Sequence, residues 1–507
     1  MQFTQYGHQL EEYETHRDTK ARALHWEQGL GKSKAAIDKA CHLYSNKKID
    51  GFMVVAPPGI ERNWMTKELP AHLWDATNPD TLMTLYRSDK TGTKYHKADL
   101  KKAIEHKGFS ILCISYDALK TNAGRDFARA FFKKRTVFQV LDESTRIKSS
   151  NRKCKATRIA MACTKLAKYR MIMTGTPVSN GPFDVYHPIM YLDPQFWKRL
   201  EMSPYGTFKS YFGRFMNCER GDGKTFEKLL GYRNLKDLHK MLAPIASRKT
   251  KAECLDLPDK IYSRAYFGMN PQQEQAYRDM EDQNACDNSG KPLDFQKLLK
   301  AILDGELLDV TQANLAIVRI LRLQQIACGF VPRDDGEPVA VLGKTSPRME
   351  LVAGLVADHT HGTNKTIVWS RFRLDIANIV ERLKKDGFNV VEFHGGIDSD
   401  SRAANIEAFQ DGDADVIVAN KAMSQGYTLT ACKTMIFAAN TYSLEDRQQE
   451  EDRAHRIGLD DDLKLIDTCA QYGDGRGTID DTIIESLQNK LLTANMITGD
   501  APSTWTQ

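Results

Sequence analysis

The sequence predicts an α/β protein in which two αβ units flank a helical middle, and three observations carry that expectation. In the N-terminal part, short apolar runs at 52–56, 111–115, 136–141 and 170–173 alternate with helical stretches, the pattern of a parallel sheet covered by helices. The C-terminal part repeats the pattern, with candidate strands at 366–369, 389–393, 416–419, 434–438 and 464–467. Between them, from 183 to 341, the chain is polar, helical in pattern and broken by Pro and Gly. Inside that middle, residues 292–325 space Leu298, Ile302, Leu308, Leu315, Val318 and Leu321 as the packed face of a helix, while 287–290 and 334–336 read as exposed loops.

The first αβ unit holds the most informative pentapeptide, Gly29-Leu30-Gly31-Lys32-Ser33, set between a short apolar stretch and the helical pattern 34–43. Glycines let the backbone curl so that successive N–H groups and a helix N-terminus face phosphate oxygens, with a lysine to reach them and a hydroxyl to ligate Mg²⁺. These residues fit a nucleoside triphosphate, with Lys32 on the phosphates and Ser33 on the metal. Downstream, Asp142-Glu143 closes the apolar run 136–141, which places two carboxylates at the C-terminal end of a buried strand. Ligands bind at that edge of an open α/β sheet. Asp142 is placed there to hold Mg²⁺ together with Ser33, and Glu143 to orient and deprotonate an attacking water.

In the second αβ unit the run 448–458 carries Gln449, Arg453 and Arg456. If it is helical, two arginines three residues apart share one face. Such arginines can reach a γ-phosphate and stabilise charge on the transferring phosphoryl group.

With these elements in order, the chain resembles the superfamily-two helicase-type ATPases and, within them, the Swi/Snf-related DNA translocases. Tyr6-Gly7-His8-Gln9 matches the family's adenine-reading glutamine motif, and 27–33 its motif I. Residues 53–58 with Asn63-Trp64 resemble motif Ia, 114–119 motif Ib, and 142–145, continued by Arg146-Ile147-Lys148, motif II and its extension. Thr174-Gly175-Thr176-Pro177 with Asn180 matches motif III in its Swi/Snf form. Residues 367–370, 394–396, 420–430 and 449–458 correspond to motifs IV, IVa, V and VI. Arg248-Lys249-Thr250-Lys251, then 257–260 and 271–277, resemble the segment joining the family's two lobes, and 478–483 its closing helix. The chain departs from the family at Ser144-Thr145 in place of Ala-His, Ser33 in place of Thr, Met423-Ser424-Gln425 in place of small residues, and Leu459 in place of Gln.

The resemblance implies two RecA-like parallel-sheet lobes with helical protrusions inserted between them: lobe 1 over 1–185, protrusions and linker over 186–340, lobe 2 over 341–507 with a C-terminal helix. It implies ATP and Mg²⁺ as cofactors. Gln9, Gly29, Leu30, Gly31, Lys32 and Ser33 would bind the nucleotide, Ser33 and Asp142 the metal, and Lys32, Asp142, Glu143, Gln449, Arg453 and Arg456 would act in hydrolysis as the second lobe closes. Ser115, Tyr116, Arg146, Lys148, Thr174, Gly175, Thr176, Lys421 and Gly426 are the corresponding coupling and DNA-facing positions. The expected output is ATP-driven movement on double-stranded or branched DNA, with DNA-processing proteins as further partners. A strand-separating DNA helicase, an RNA helicase of the DEAD-box kind and a non-hydrolysing DNA-binding module are the alternatives; Thr174 to Pro177 differs from the Ser-Ala-Thr of the RNA helicases.

Composition is compatible with these expectations. With 41% hydrophobic and 27% charged residues, the 507-residue chain is ordinary for a globular protein and long enough for about three domains. No apolar run approaches ~18 residues, so no membrane span is expected. Glu11, Glu12 and Glu14 depart from a secretory pattern. Ten cysteines without a Cys-x-x-Cys pair argue against zinc and disulfides, and point to a reduced cytoplasm. The length leaves little room for chromatin-reading domains, so a minimal bacterial or phage-like member is expected, working in a nucleoid or an infected host. Net charge is only +5, but Arg146 to Arg170 holds nine Lys/Arg and no Asp/Glu. That stretch reads either as a solvated helix with one buried face or as a sequence-independent binder of phosphate backbones. No base-reading motif accompanies it.

Overall fold

The structure is a computed structural model that describes residues 6–506, apart from 76, 150–153, 164, 220–224, 283–309, 332–339, 344 and 424–425. The chain forms two compact units: 1–212 with 232–256 and 496–500, and 213–231 with 257–495 and 501–507.

Two-sided burial explains the first sheet. Strands β2 (Gly51–Ala56), β4 (Phe109–Ser115) and β5 (Val137–Asp142) are buried along their whole lengths. They therefore read as continuous apolar runs instead of alternating ones. With β1 (Ala21–Trp26), β3 (Thr81–Leu85), β6 (Tyr169–Met173) and β9 (Ala246–Lys249) they form a seven-stranded sheet in the order β3-β4-β2-β5-β6-β1-β9. Every pairing is parallel. All the C-terminal strand ends therefore share one edge, which sets the loops after β1, β5 and β6 side by side. The helix Lys32–Ser45 packs on this sheet through Ala36, Ile37, Ala40 and Leu43, all fully buried. Their spacing of one, three and four residues gives a single apolar stripe.

The second unit repeats the design. Strands β10 (Lys260–Gly268), β13 (Lys365–Trp369), β14 (Val390–Phe393), β15 (Val416–Ala419), β16 (Cys432–Phe437) and β17 (Leu463–Gln471) form a parallel sheet in the order β10-β17-β16-β13-β15-β14. Side chains such as Ile367, Ile417, Met435 and Leu465 fill one of its faces.

The middle of the chain is less uniformly helical than its composition predicts. The strands β7 (Gly213–Glu219) and β8 (Thr225–Tyr232) pair as a two-stranded sheet, β9 and β10 join the edges of the two large sheets, and β11 (Phe330–Val331) pairs with β12 (Ala340–Val341). Edge strands bury one face at most, so β10 largely alternates half-buried and exposed residues and carries no continuous apolar run to mark it. The periodic stretch 292–325 is helical from Val310 to Ala327, but its packed face runs through Ile320 and Leu323, which are buried, and not through Val318, which is 54% exposed. Its earlier part, and the loops expected at 287–290 and 334–336, lie outside the described residues. Among the described residues no helix is long and apolar enough to cross a membrane.

Candidate nucleotide site

The loop after β1 turns through Gly29 (φ +87°) and Gly31 (φ +75°) into the helix Lys32–Ser45, with Ser33 in its first turn. Both angles lie in the left-handed region that side chains avoid. At Gly31 space is a second constraint, because a Cβ would fall on the Gln9 amide nitrogen. Gln9 is fixed from both ends: its Oε1 accepts from Tyr6 N–H (3.1 Å) and its Nε2 donates to Leu30 O (3.2 Å). The glutamine motif and the glycine-rich loop are thus one assembly. Gly31→Ala is expected to displace Gln9 and weaken nucleotide binding at least tenfold with the unit still folded, as titration with a fluorescent ATP analogue and circular dichroism would show.

Lys32 Nζ donates to the carbonyls of Trp26 (2.9 Å) and Glu27 (3.1 Å), which holds the ammonium inside the loop. Its charge acts on Asp142, the last residue of β5. Burial pushes the Asp142 carboxyl above the usual carboxylate range, opposed by a hydrogen bond from Trp64 Nε1 to Oδ2 (2.9 Å) and by the Lys32 ammonium. Oδ1 accepts from Glu143 N–H (3.0 Å). A carboxylate has about four acceptor sites, so two neutral donors leave room for a hard cation. Asp142 with the Ser33 hydroxyl is an all-oxygen donor set that fits Mg²⁺, and the Gly29–Ser33 backbone fits phosphate.

Glu143 is a non-glycine residue in the left-handed region (φ +48°, ψ 60°). Such a conformation costs on the order of 1–3 kcal/mol and clusters at functional sites. It turns the carboxylate toward β6, where Thr174 Oγ1 donates to Oε2 (3.3 Å) and in turn accepts from Thr176 N–H (3.2 Å). Glu143, Thr174, Gly175 and Thr176 are therefore a connected series. Ser115 caps the helix Tyr116–Lys120, while Tyr116 is buried and donates its hydroxyl proton to Asp142 O (2.9 Å). The Tyr116 side chain thus points into the unit and supports the carboxylate loop. Arg146 is exposed, and Lys148 is tied to Ser179 and, at 3.7 Å, to Asp184.

Two residues of this neighbourhood carry no catalytic signature in the sequence. Trp64 opens a five-residue π-helical turn, Trp64–Glu68, and directs its indole N–H at Asp142; such turns occur frequently at functional sites. Arg248, read as part of a linker, lies within β9 beside His25 of β1. It donates to Gly175 O (3.1 Å) and His25 O (2.9 Å) and pairs with Glu27 (3.2 Å) and Asp500 (2.6 Å). Beside it, burial and the charges of Arg248 and Arg22 push the His25 imidazole down to about 3. The folded state therefore binds fewer protons than an unfolded chain with an ordinary histidine. The resulting stability is full above pH 6.5 and is lost as pH falls toward 3, at about 2 kcal/mol by pH 5. Denaturant midpoints measured at pH 7 and pH 5 are expected to fall more steeply for the parent than for His25→Gln.

In the second unit, β15 leads into Asn420 and Lys421, and Lys421 pairs with Asp446 (2.6 Å). Gly426 has φ +88°. The helix carrying Gln449 spans Leu444–Glu451 and stops there, so Arg453 and Arg456 lie on the turns that follow it and not on a helical face. Their places differ. Arg453 is buried, with Nε donating to Gln449 O (3.0 Å) and Nη1 to Tyr427 O (2.9 Å). Arg456 is half-buried, and its Nη1 donates to Thr428 Oγ1 (3.2 Å). The helix is anchored by Arg447, which the sequence does not single out: fully buried, it pairs with Glu451 (2.8 Å) and Asp467 (2.5 Å) and lies over the Phe437 ring.

Two parallel sheets, the first with a glycine-rich loop entering a helix at its C-terminal edge, define the class of two-lobed RecA-like proteins. Residues 13–314 match the model of the SNF2-related domain, and 347–458 that of the helicase conserved C-terminal domain. The chain belongs to the SNF2-related family. It is 23% identical over 481 residues to the chromodomain-helicase-DNA-binding protein 1-like of Mus musculus (93% of this chain, 47% of that protein). It is 22% identical over 515 residues to the SWI/SNF-related regulator of chromatin subfamily A containing DEAD/H box 1 of Xenopus tropicalis (94% and 48%). The chain spans about half the length of these curated relatives. Among solved structures it is similar to the Sulfolobus solfataricus SWI2/SNF2 ATPase core in complex with dsDNA, at 20% identity, covering 99% of this chain and 94% of that one with a TM-score of 0.40.

Proposed function

We propose that the chain is a DNA-stimulated ATPase that moves along double-stranded DNA and thereby remodels protein–DNA complexes or branched DNA. The observation that supports this most is the meeting, at one sheet edge, of the Gly29–Ser33 loop with Asp142, Glu143 and the 174–177 turn, in a chain of the SNF2-related family. Bound ATP with Mg²⁺ supplies the phosphoanhydride whose hydrolysis drives the cycle. In this reading Lys32 moves from the loop carbonyls to phosphate oxygens, Ser33 and Asp142 hold the metal, and Gln9 meets the adenine. Glu143 takes the proton of the attacking water. Thr174 links that carboxylate to Gly175 and Thr176, so a change at Glu143 is passed to a turn we assign to coupling.

The second lobe contributes Gln449 and Arg456 to the reaction, and Arg453 holds the 427–429 loop in place for them. Arg146, Lys148, Lys421 and Gly426 are the proposed DNA-side positions, and the buried Ser115 and Tyr116 act with the coupling group. Recognition independent of base sequence follows from contacts with the phosphate backbone alone. The proposal is tested with a third-strand oligonucleotide bound to one end of a linear duplex. The parent should displace it in an ATP-dependent way and Lys32→Ala should not. Unwinding of a fork with no third-strand displacement would identify a strand-separating helicase instead.

A further inference from the structure

The helices that return the chain from β4 to β5 and from β5 to β6 enclose a pocket of about 190 Å³ on the first unit. Leu119, Ala128, Phe132 and Cys163 form its buried apolar floor, and Leu166, 44% exposed, stands at its mouth. Three arginines ring the opening: Arg125 and Arg129 from the helix Asn122–Lys134, and Arg158 from the helix Lys155–Cys163. Arg129 has a partner in the exposed Asp126 at 3.6 Å, and Arg125 bonds to Asn122. Lys155, Lys165 and Lys168 extend the positive charge, and the stretch from Arg146 to Arg170 contains no carboxylate to balance it.

This is where the basic stretch resolves. Thr157, Ala160 and Cys163 turn into the unit, as an ordinary amphipathic helix requires, while Arg158 and Ala162 are exposed. A phosphate backbone would satisfy the cations but has nothing to place in an apolar slot of this size. An apolar cavity of about 150 Å³ accommodates a benzene ring, so the slot suits one large apolar side chain. We infer that this pocket is a docking site for an acidic peptide segment of a partner protein, which inserts one aromatic or large aliphatic side chain while its carboxylates pair with Arg125, Arg129 and Arg158. The arginines match carboxylates in charge and in fork geometry. The slot supplies the specificity that charge alone would lack.

The site shares no residue with the proposed ATPase machinery and does not depend on that reading. The test uses the full chain and a short fluorescein-labelled peptide of Glu, Asp and Ser with one central Phe, followed by anisotropy. Saturable binding is expected. Replacing the peptide's Phe by Ala, or filling the slot with Ala162→Trp, should weaken binding about 10- to 100-fold. Arg129→Glu combined with Arg158→Glu should do the same, and Lys32→Ala should leave binding unchanged. Because Ala162 and both arginines are exposed, circular dichroism should show these variants folded. Absence of peptide binding would overturn the inference, as would equal binding of the Phe and Ala peptides. A loss of duplex-DNA binding in Ala162→Trp with no effect on the peptide would also overturn it and make this face part of the DNA surface.

Discussion

Glu143→Gln is expected to bind ATP as the parent does and to hydrolyse it on the order of 10²–10⁴ more slowly, the range associated with a general base. The substitution keeps the side chain's size and its capacity to accept from Thr174, so the left-handed turn and the 174–177 connection should persist. What it removes is the carboxylate that receives the proton. Binding measured with a fluorescent ATP analogue and turnover measured by phosphate release separate the two effects. Turnover at the parent rate would end the assignment of Glu143 as the base. A loss of binding would place Glu143 in holding the nucleotide.

The two arginines after the Leu444–Glu451 helix should fail in different ways. Arg456→Ala is expected to lower DNA-stimulated turnover on the order of 10³–10⁵ while the second unit stays folded, the loss associated with an arginine finger. Arg453→Ala removes a buried guanidinium that satisfies the carbonyls of Gln449 and Tyr427. Each buried acceptor left unpaired costs about 1–3 kcal/mol, so this variant should show a clear drop in thermal midpoint. Substantial hydrolysis by a folded Arg456→Ala would remove that residue's role. Equal melting of the parent and Arg453→Ala would remove the positioning role of Arg453.

What was legible in the sequence follows from how each element is buried. β2, β4 and β5 are apolar because both faces are covered, and the loops at their ends carry residues whose chemistry is itself diagnostic: glycines that need positive φ, and a carboxylate pair at a strand end. β1 is as deeply buried but harder to read, since Arg22 and His25 interrupt it. Arg22 is accommodated by a paired carboxylate, Glu12 (2.8 Å), and His25 by staying neutral, and neither solution is visible in a linear pattern. β9, four half-buried residues at a sheet edge, reads as linker for the opposite reason. Its Arg248 reaches Gly175 and Glu27 from far along the chain, so its role depends on the strand order, which sequence spacing does not contain. The expectation that Arg453 and Arg456 share a helical face fails, because the chain leaves the helix at Glu451 despite a run of good helix formers.

Hydrolysis by this chain is proposed to be stimulated by duplex DNA. This is tested most directly by ATP turnover with no nucleic acid, linear duplexes of increasing length, single-stranded DNA, forked DNA and RNA, with Lys32→Ala as the blank. Strong stimulation by duplex DNA that grows with its length is expected. Stimulation by single strands or RNA alone, or no hydrolysis with any of them, would contradict it.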